Sequence, residues 1–385
     1  MNALIQTKVQ SLRGALNAAF VDRSSIIDGV LLALLTRLHV LLLGPPGTGK
    51  SALANAVTKG LTGGRCFTCL LTRTSTPEDV FGPVDLLAFD KGRYERRSEN
   101  YLPGAHVVFL DEIWRGSSAI LNGLLTAINE REVEVNGVRQ GIPLQTVMAA
   151  SNGLPESDDL HALDDRFSLR FVVGRLERTS DRRRLIGSKL SLSVADKYRL
   201  SMEELATAQA EVSAVQVPAE VFEKVCDVWA ALSEAGHDVS ERRWRAIVEL
   251  MKARAWMAGR SEVSLEDMEV IADSAWRKPA DRSAVLGTVL KVSAPQVAKA
   301  VEALDTAFAA YKAIPARTST DRKELVKVAM GVSDAKAKIK AILVDVEKLL
   351  AVAGPHEKAQ LGVYKGKIEG LLDEATRKLG ETIAA

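Results

Sequence analysis

The eight residues Gly44-Pro45-Pro46-Gly47-Thr48-Gly49-Lys50-Ser51 have the types and spacing to do chemistry. They fit the G-x-x-x-x-G-K-[ST] phosphate-loop pattern position by position. Glycines let backbone N–H groups turn toward a phosphate with no Cβ in the way. Lys50 offers a point charge to the β- and γ-phosphates, and the Ser51 hydroxyl can ligate Mg²⁺. A helix from about Lys50 to Leu61 aims its positive N-terminus at the same anion. An apolar run, Leu38 to Leu43, precedes the loop and reads as a buried strand. Strand, glycine loop and helix together predict a nucleoside-triphosphate site.

Further candidates lie downstream. His106 to Leu110 is an apolar run that delivers Asp111-Glu112, a pattern for a buried parallel strand whose carboxyl end meets a ligand. Asp111 can hold Mg²⁺ through water, and Glu112 can accept a proton from an attacking water. Thr146 to Ala150 is a second buried strand, followed by Asn152, whose amide could orient that water or simply make a turn. Arg166, in Leu163-Asp164-Asp165-Arg166-Phe167, could be a surface ion-pair residue or a charge offered to a neighbouring subunit's phosphate.

Several elements must position these groups. Leu4 to Phe20 reads as an amphipathic helix, and Ser24 or Ser25 can cap a second one, Ile26 to Arg37. Arg65 to Leu71 is an apolar strand on which Cys66 and Cys69 point to opposite faces, suiting neither a metal nor a disulfide and fitting core residues. Ser75-Thr76-Pro77-Glu78 looks like a capping box opening a short helix. Val84 to Asn100 predicts a hairpin, and Ser117 a helix with Ile120, Leu121, Leu124, Leu125 and Ile128 on one face. Glu132 to Val138 alternates into an Asn-Gly turn, a hairpin signal. Phe167 to Val173 makes the last strand of the region.

From Asp181 onward the pattern is helical throughout. Val217 to Leu232, Ser240 to Met257 and Ser264 to Trp276 read as three helices. Beyond about Ala280, Leu325, Val328, Val332, Ala335, Ile339, Ile342, Val346 and Leu349 repeat at alternating spacings of three and four, an unbroken heptad seam. Gly354-Pro355 stops that helix. Leu361, Tyr364, Ile368, Leu371 and Ala375 repeat the spacing, and Ser293-Ala294-Pro295 opens another helix through Val301, Leu304, Phe308 and Tyr311. An antiparallel helical stalk or bundle is expected, with its lysines on a solvated face.

Composition narrows the field. With 385 residues, 47% apolar and 26% charged, the chain has room for two or three globular domains. A net charge of +2 and 5% aromatics give no strong sign of a nucleic-acid partner. The longest apolar region is broken by Asp28, Arg37 and His39, so no membrane span is expected. Three cysteines, an odd number, fit a reducing cytoplasm.

The order of GPPGTGKS, VVFLDE, AASN and DDRF resembles an AAA+ ATPase core, and GRYERRSENYLPGAHVVFLDEIW resembles the MoxR family, in particular its RavA-like branch. The likeness covers about Ser24 to Trp276. It implies an α/β fold: an αβα core with a parallel sheet over 1–185, an all-helical lid over 186–280 and a helical bundle over 281–385. It makes Gly44 to Ser51 Walker A, Asp111 and Glu112 Walker B, and Asn152 the first sensor. Arg166, with Arg170 as a rival, matches the arginine finger acting in trans. Arg242, with Arg243 as a rival, matches the second sensor over the nucleotide.

The resemblance further implies an ATPase using ATP and Mg²⁺, working as a homo-hexamer that remodels or activates client proteins beside a partner with a von Willebrand factor A domain. A nucleic-acid translocase of a related branch is the competing reading. RavA-like proteins carry a small β-rich insert within their C-terminal helices. No alternating strands are legible there in this chain, so what that insert recognises is not carried over.

Overall fold

The computed structural model describes residues 2–93, 95–135, 138–155, 160–187, 198–315 and 322–383. It opens with helices α1 (Ala3–Ala19) and α2 (Ser24–Thr36). Asn2 caps α1 by accepting from the Leu4 and Ile5 N–H groups, and Ile5, Val9, Leu12 and Leu16 form its buried stripe. The expected serine cap of α2 is corrected. Ser24 and Ser25 lie inside its first turn, the N-cap position is Arg23, and no side chain caps it. This helix is buried almost all round, so burial holds it where a cap does not.

The core continues through β1 (Val40–Leu43), α3 (Lys50–Lys59), β2 (Leu61–Thr62), β3 (Cys66–Leu70), α4 (Pro77–Phe81), α5 (Leu86–Phe89), β4 (Val107–Asp111), α6 (Ser118–Glu130), β5 (Glu132–Val135), β6 (Val138–Gly141), β7 (Thr146–Ser151), α7 (His161–Asp164) and β8 (Leu169–Val172). Five strands form one parallel sheet in the order β3-β4-β7-β1-β8. Leu42 pairs with Ala150 and Leu110 with Ala149, so β1, β4 and β7 end side by side. The α/β class and the parallel sheet follow the sequence expectation, with helices covering the apolar strands.

Several local expectations change. In the Val84–Asn100 stretch the hairpin reduces to one antiparallel bridge, Val84 to Arg96, flanked by the one-turn helix α5. Asp85 caps that turn by accepting from Leu87 and Ala88 N–H, which competes with strand pairing. Cys66 and Cys69 are free and half-buried, not core residues, because β3 is the edge strand. The β5–β6 hairpin forms as expected, while its Asn136-Gly137 turn lies outside the described residues. Ser117 stands at the N-cap of α6 without a side-chain capping bond.

After β8 come α8 (Thr179–Gly187), β9 (Leu200–Ser201), α9 (Met202–Ser213), α10 (Ala219–Glu234) and α11 (Glu241–Met257). The region past Asp181 is therefore not wholly helical, since β9 pairs in parallel with β2. Helix α9 opens on a capping box: Ser201 accepts from Glu204 N–H, and Glu204 accepts from Ser201 N–H. The segment expected as a helix at Ser264 to Trp276 is 3₁₀ from Leu265 to Asp273, tied down by Arg260 on the Asp267 carboxylate. Of the apolar residues at helical spacing in α11, Trp244, Ile247 and Met251 are buried and Val248 is half-buried.

The chain divides into two compact units. The first holds residues 1–222 and 236–282; the second holds 223–235 and 283–385. In the second unit α12 (Arg282–Ser293), α13 (Pro295–Lys312), α14 (Arg322–Val352) and α15 (Pro355–Ile383) follow in order, and α13, α14 and α15 pack on one another. Every seam residue of α14 is buried or half-buried, with Ile339 and Val346 joining Leu361 and Ile368 in one cluster. One position shifts: Phe308 of α13 is exposed and Ala307 is buried instead, so the inward face is turned by one residue. No strand interrupts these helices among the described residues, and no described helix is long and apolar enough to cross a membrane.

Candidate nucleotide site

Strand β1 is buried throughout and ends where the chain must turn sharply into α3. Gly44 makes that turn at φ +152°, where an added Cβ would lie 2.3 Å from the Val173 carbonyl oxygen. Gly47 (φ +78°) and Gly49 (φ +85°) occupy the left-handed region that side chains disfavour. The loop is closed by its own side chains. Thr48 Oγ1 donates to the Pro45 carbonyl at 3.1 Å, and the Lys50 ammonium donates to the carbonyls of Gly44 (2.6 Å) and Pro45 (3.0 Å). Lys50 is thus folded back on the loop. Burial pulls its pKa down, while the negative charges of Asp111 and Glu112 act the other way.

Asp111 ends β4, two strands from β1, and Glu112 follows it. One Asp111 oxygen accepts from the Glu112 N–H at 3.1 Å, and Asp111 makes no ion pair among the described residues. Glu112 sits at φ 54°, a left-handed backbone that a non-glycine residue seldom takes. Its carboxylate accepts from the Asn152 side-chain amide and lies 3.4 Å from Arg115 Nε. Asn152 follows β7, the strand inserted between β4 and β1, and this order brings it to the acids. Trp114 braces the same corner, donating its indole N–H to the Gly153 carbonyl at 3.1 Å.

Phosphate loop, acids and Asn152 therefore share the carboxyl end of the sheet, where ligands of open α/β folds bind. The donor set fits Mg²⁺: the exposed Ser51 hydroxyl and the unshared Asp111 oxygen are hard ligands. No group of three or more His, Cys, Asp or Glu suited to an all-protein metal cage exists among the described residues.

The arginines fall into two settings. Arg166 is half-buried; its guanidinium donates to the Ala162 carbonyl at 2.9 Å and to the Asn129 side chain. Burial lowers its pKa, the Arg242 charge lowers it further, and Asp165 opposes both. Arg170 is wholly buried on the Asp164 carboxylate at 2.7 Å. Arg242 is exposed, 3.8 Å from the Asp165 carboxylate. Arg243 is buried, 3.3 Å from the same carboxylate, and donates to the Asp164 and Ser274 carbonyls at 3.4 Å. Burial and the nearby Arg170 charge bring the Arg243 pKa down to about 10. Asp165 and Ser240 stand inside this cluster without any motif of their own. Their one signal is an acid directly before Arg166 and a serine opening the Arg242–Arg243 helix.

The sequence and fold have counterparts. Residues 7–209 match the family model described as the MoxR domain in the MoxR-vWA-beta-propeller ternary systems, and residues 220–289 match an AAA lid domain. An uncharacterized protein of Methanocaldococcus jannaschii is 33% identical over 273 residues, 71% of this chain and 71% of that protein. A second from the same organism is 31% identical over 287 residues, 74% of this chain and 76% of its own length. A solved structure from Cytophaga hutchinsonii, described as an ATPase candidate, superposes with a TM-score of 0.61 at 17% identity, covering 75% of this chain and 94% of that one. At that identity the likeness concerns the fold.

Proposed function

Because the chain belongs to the MoxR family of AAA+ ATPases, we propose that it works as a Mg·ATP-driven homo-hexameric motor that remodels or activates client proteins. The observation that carries the catalytic part is the meeting of Glu112 and Asn152 at the carboxyl end of the sheet that also bears the phosphate loop.

In this reading the N–H groups of Gly44 to Ser51 cradle the phosphates, and Lys50 leaves its own loop carbonyls for the β/γ-oxygens. Mg²⁺, held by Ser51 and Asp111, supplies charge neutralisation on the phosphates when bound. Asn152 orients water, Glu112 takes its proton as the oxygen attacks the γ-phosphorus, and ADP leaves with the β–γ bridging oxygen. Arg166 serves a neighbour's phosphate. Arg170 is the weaker rival, because it is sealed in the core against Asp164. Arg242, exposed and loosely held, suits a second sensor better than the buried Arg243.

The description of the matched family model supports a partner with a von Willebrand factor A domain and, with it, a β-propeller protein. The Gly92 to Trp114 stretch supports the RavA-like branch, and free cysteines suit a cytoplasmic location. We assign residues 1–185 to the core, 186–280 to the lid and 281–385 to a bundle for partner or client contact. The test is a pull-down with Glu112→Gln as ATP-trapped bait, alongside sizing with ATP. Recovery of a von Willebrand factor A protein on a six-subunit assembly is expected. A chain that hydrolyses ATP as a monomer would overturn the ring reading.

A further inference from the structure

The bend that carries Asn152 has little packing of its own. Asn152 and Gly153 are exposed, and a Cβ built on Gly153 meets nothing within 4 Å among the described residues. Hydrogen bonds at Gly153 hold the bend instead. The Gly153 N–H donates to the Ser151 hydroxyl at 3.2 Å, and Ser151 is the buried last residue of β7. The Gly153 carbonyl accepts from the Trp114 indole N–H at 3.1 Å. Both peptide groups of Gly153 are therefore held, and with them the direction in which the Asn152 side chain leaves the chain.

Trp114 comes to this bend from the other catalytic strand. It lies in the 3₁₀ turn Ile113–Arg115, which starts on Glu112 and is closed by Arg115 N–H on the Glu112 carbonyl at 2.8 Å. The buried Phe167 ring meets the indole edge to face, with centroids 6.3 Å apart at 86°, and fixes its plane. One side chain thus joins the turn after Glu112 to the bend after Asn152. Across the same gap the Asn152 amide donates to the Glu112 carboxylate. Because the two contacts span the same pair of segments, losing one loosens the other. A fully buried indole needs a hydrogen-bond partner for its own sake. Trp114 is only half-buried, so solvent is open to its N–H, yet it takes the carbonyl beside Asn152.

We propose that Trp114 is a positioning residue for hydrolysis: through the Gly153 carbonyl it holds the Asn152 amide at the Glu112 carboxylate. The proposal rests on the water-orienting role given to Asn152 above and adds the side chain that sets its geometry. Trp114 follows β4, two strands from the β1 that leads into the phosphate loop, so its effect belongs to turnover and not to ATP affinity.

The experiment measures steady-state Mg·ATP hydrolysis for the wild type, Trp114→Phe, Asn152→Ala and the double variant, with circular dichroism on each. Trp114→Phe keeps an aromatic ring against Phe167 and deletes the N–H. Its kcat should fall about 10-fold with KM for ATP unchanged, since a misplacement of about 1 Å costs up to about 10²-fold. In the Asn152→Ala background the same substitution should cost nothing further, the non-additivity expected of residues acting as one unit. A wild-type kcat in Trp114→Phe overturns the proposal, and so does a loss carried by KM. An equal further loss in the Asn152→Ala background overturns it too, because the ring would then act as packing alone. Should Trp114→Phe fail to fold, Trp114→benzothienylalanine, which keeps the indole shape with sulfur in place of the N–H, is measured instead, and an unchanged kcat there overturns the proposal. Wild-type turnover in Asn152→Ala is a separate result: it removes the water-orienting assignment, and the proposal with it.

Discussion

The side-chain amide of Asn152 donates to the carboxylate of Glu112, a residue 40 positions earlier in the chain. Two adjacent parallel strands, β4 and β7, deliver the pair. A carboxylate and a side-chain amide in direct contact, beside a phosphate loop, are the arrangement that the proposed hydrolysis needs.

Glu112→Gln and Arg166→Ala are expected to fail differently. Glu112→Gln keeps the partner of Asn152 but loses the proton acceptor, so ATP should bind and turn over ~10²–10⁴-fold more slowly. On the proposed finger assignment Arg166→Ala removes a charge given to the next subunit's site, worth roughly 10³–10⁵-fold in comparable transfers. On the proposed action in trans the lesions fall on opposite sides of a subunit boundary, so mixing the two variants should restore part of the activity. A mixture no more active than its components would argue against action in trans.

Lys50→Ala should abolish ATP binding with the circular dichroism spectrum unchanged, because the ammonium's partners are loop carbonyls and not core groups. Gly44→Ala is expected to do more damage. Its Cβ would press on the Val173 carbonyl at a backbone angle alanine disfavours, so both affinity and thermal stability should fall. Calorimetry with ATP and a melting curve on each variant separate the two effects.

His39 predicts a pH dependence of stability. Its buried ring accepts from Val147 N–H at Nδ1 (3.0 Å), so Nε2 carries the proton toward the Ile128 carbonyl (3.3 Å). Burial, with Arg131 and Arg37 nearby, pushes its pKa down to about 3. The unfolded chain therefore takes up this proton first. The histidine's contribution is complete above pH ~6.5 and is lost toward about pH 3, at up to ~1.4 kcal/mol per pH unit. Denaturant melts should show the stability gap between wild type and His39→Gln narrowing as pH falls. A gap that stays constant would count against the assignment.

Ile339→Asp places a charge at a fully buried position on the α14 seam. A cost of about 3–5 kcal/mol is expected for an unpaired buried charge. Helicity should drop and partner or client binding should be lost while ATP hydrolysis persists. Collapse of hydrolysis would show that the bundle belongs to the catalytic ring.

What the sequence determined by itself was local. The glycines, Lys50 and Ser51 of the phosphate loop, the four-residue apolar strand before it and the α14 seam are encoded by residue types and spacings that fix backbone angles or a buried face. The same local rules misjudged Val84 to Asn100, where the Asp85 cap favours a turn of helix over a hairpin, and the 3₁₀ segment Leu265–Asp273, whose form depends on Arg260 reaching Asp267. Only the tertiary structure decided which charges meet. The acid before Arg166 and the serine opening the Arg242–Arg243 helix are visible in the linear chain, but nothing there pairs Asp165 with Ser240. Their bond, spanning 75 positions, exists because α11 begins beside the α7 turn. Electrostatic partners depend on distance in space, which strand order and helix docking set and which spacing along the chain does not encode.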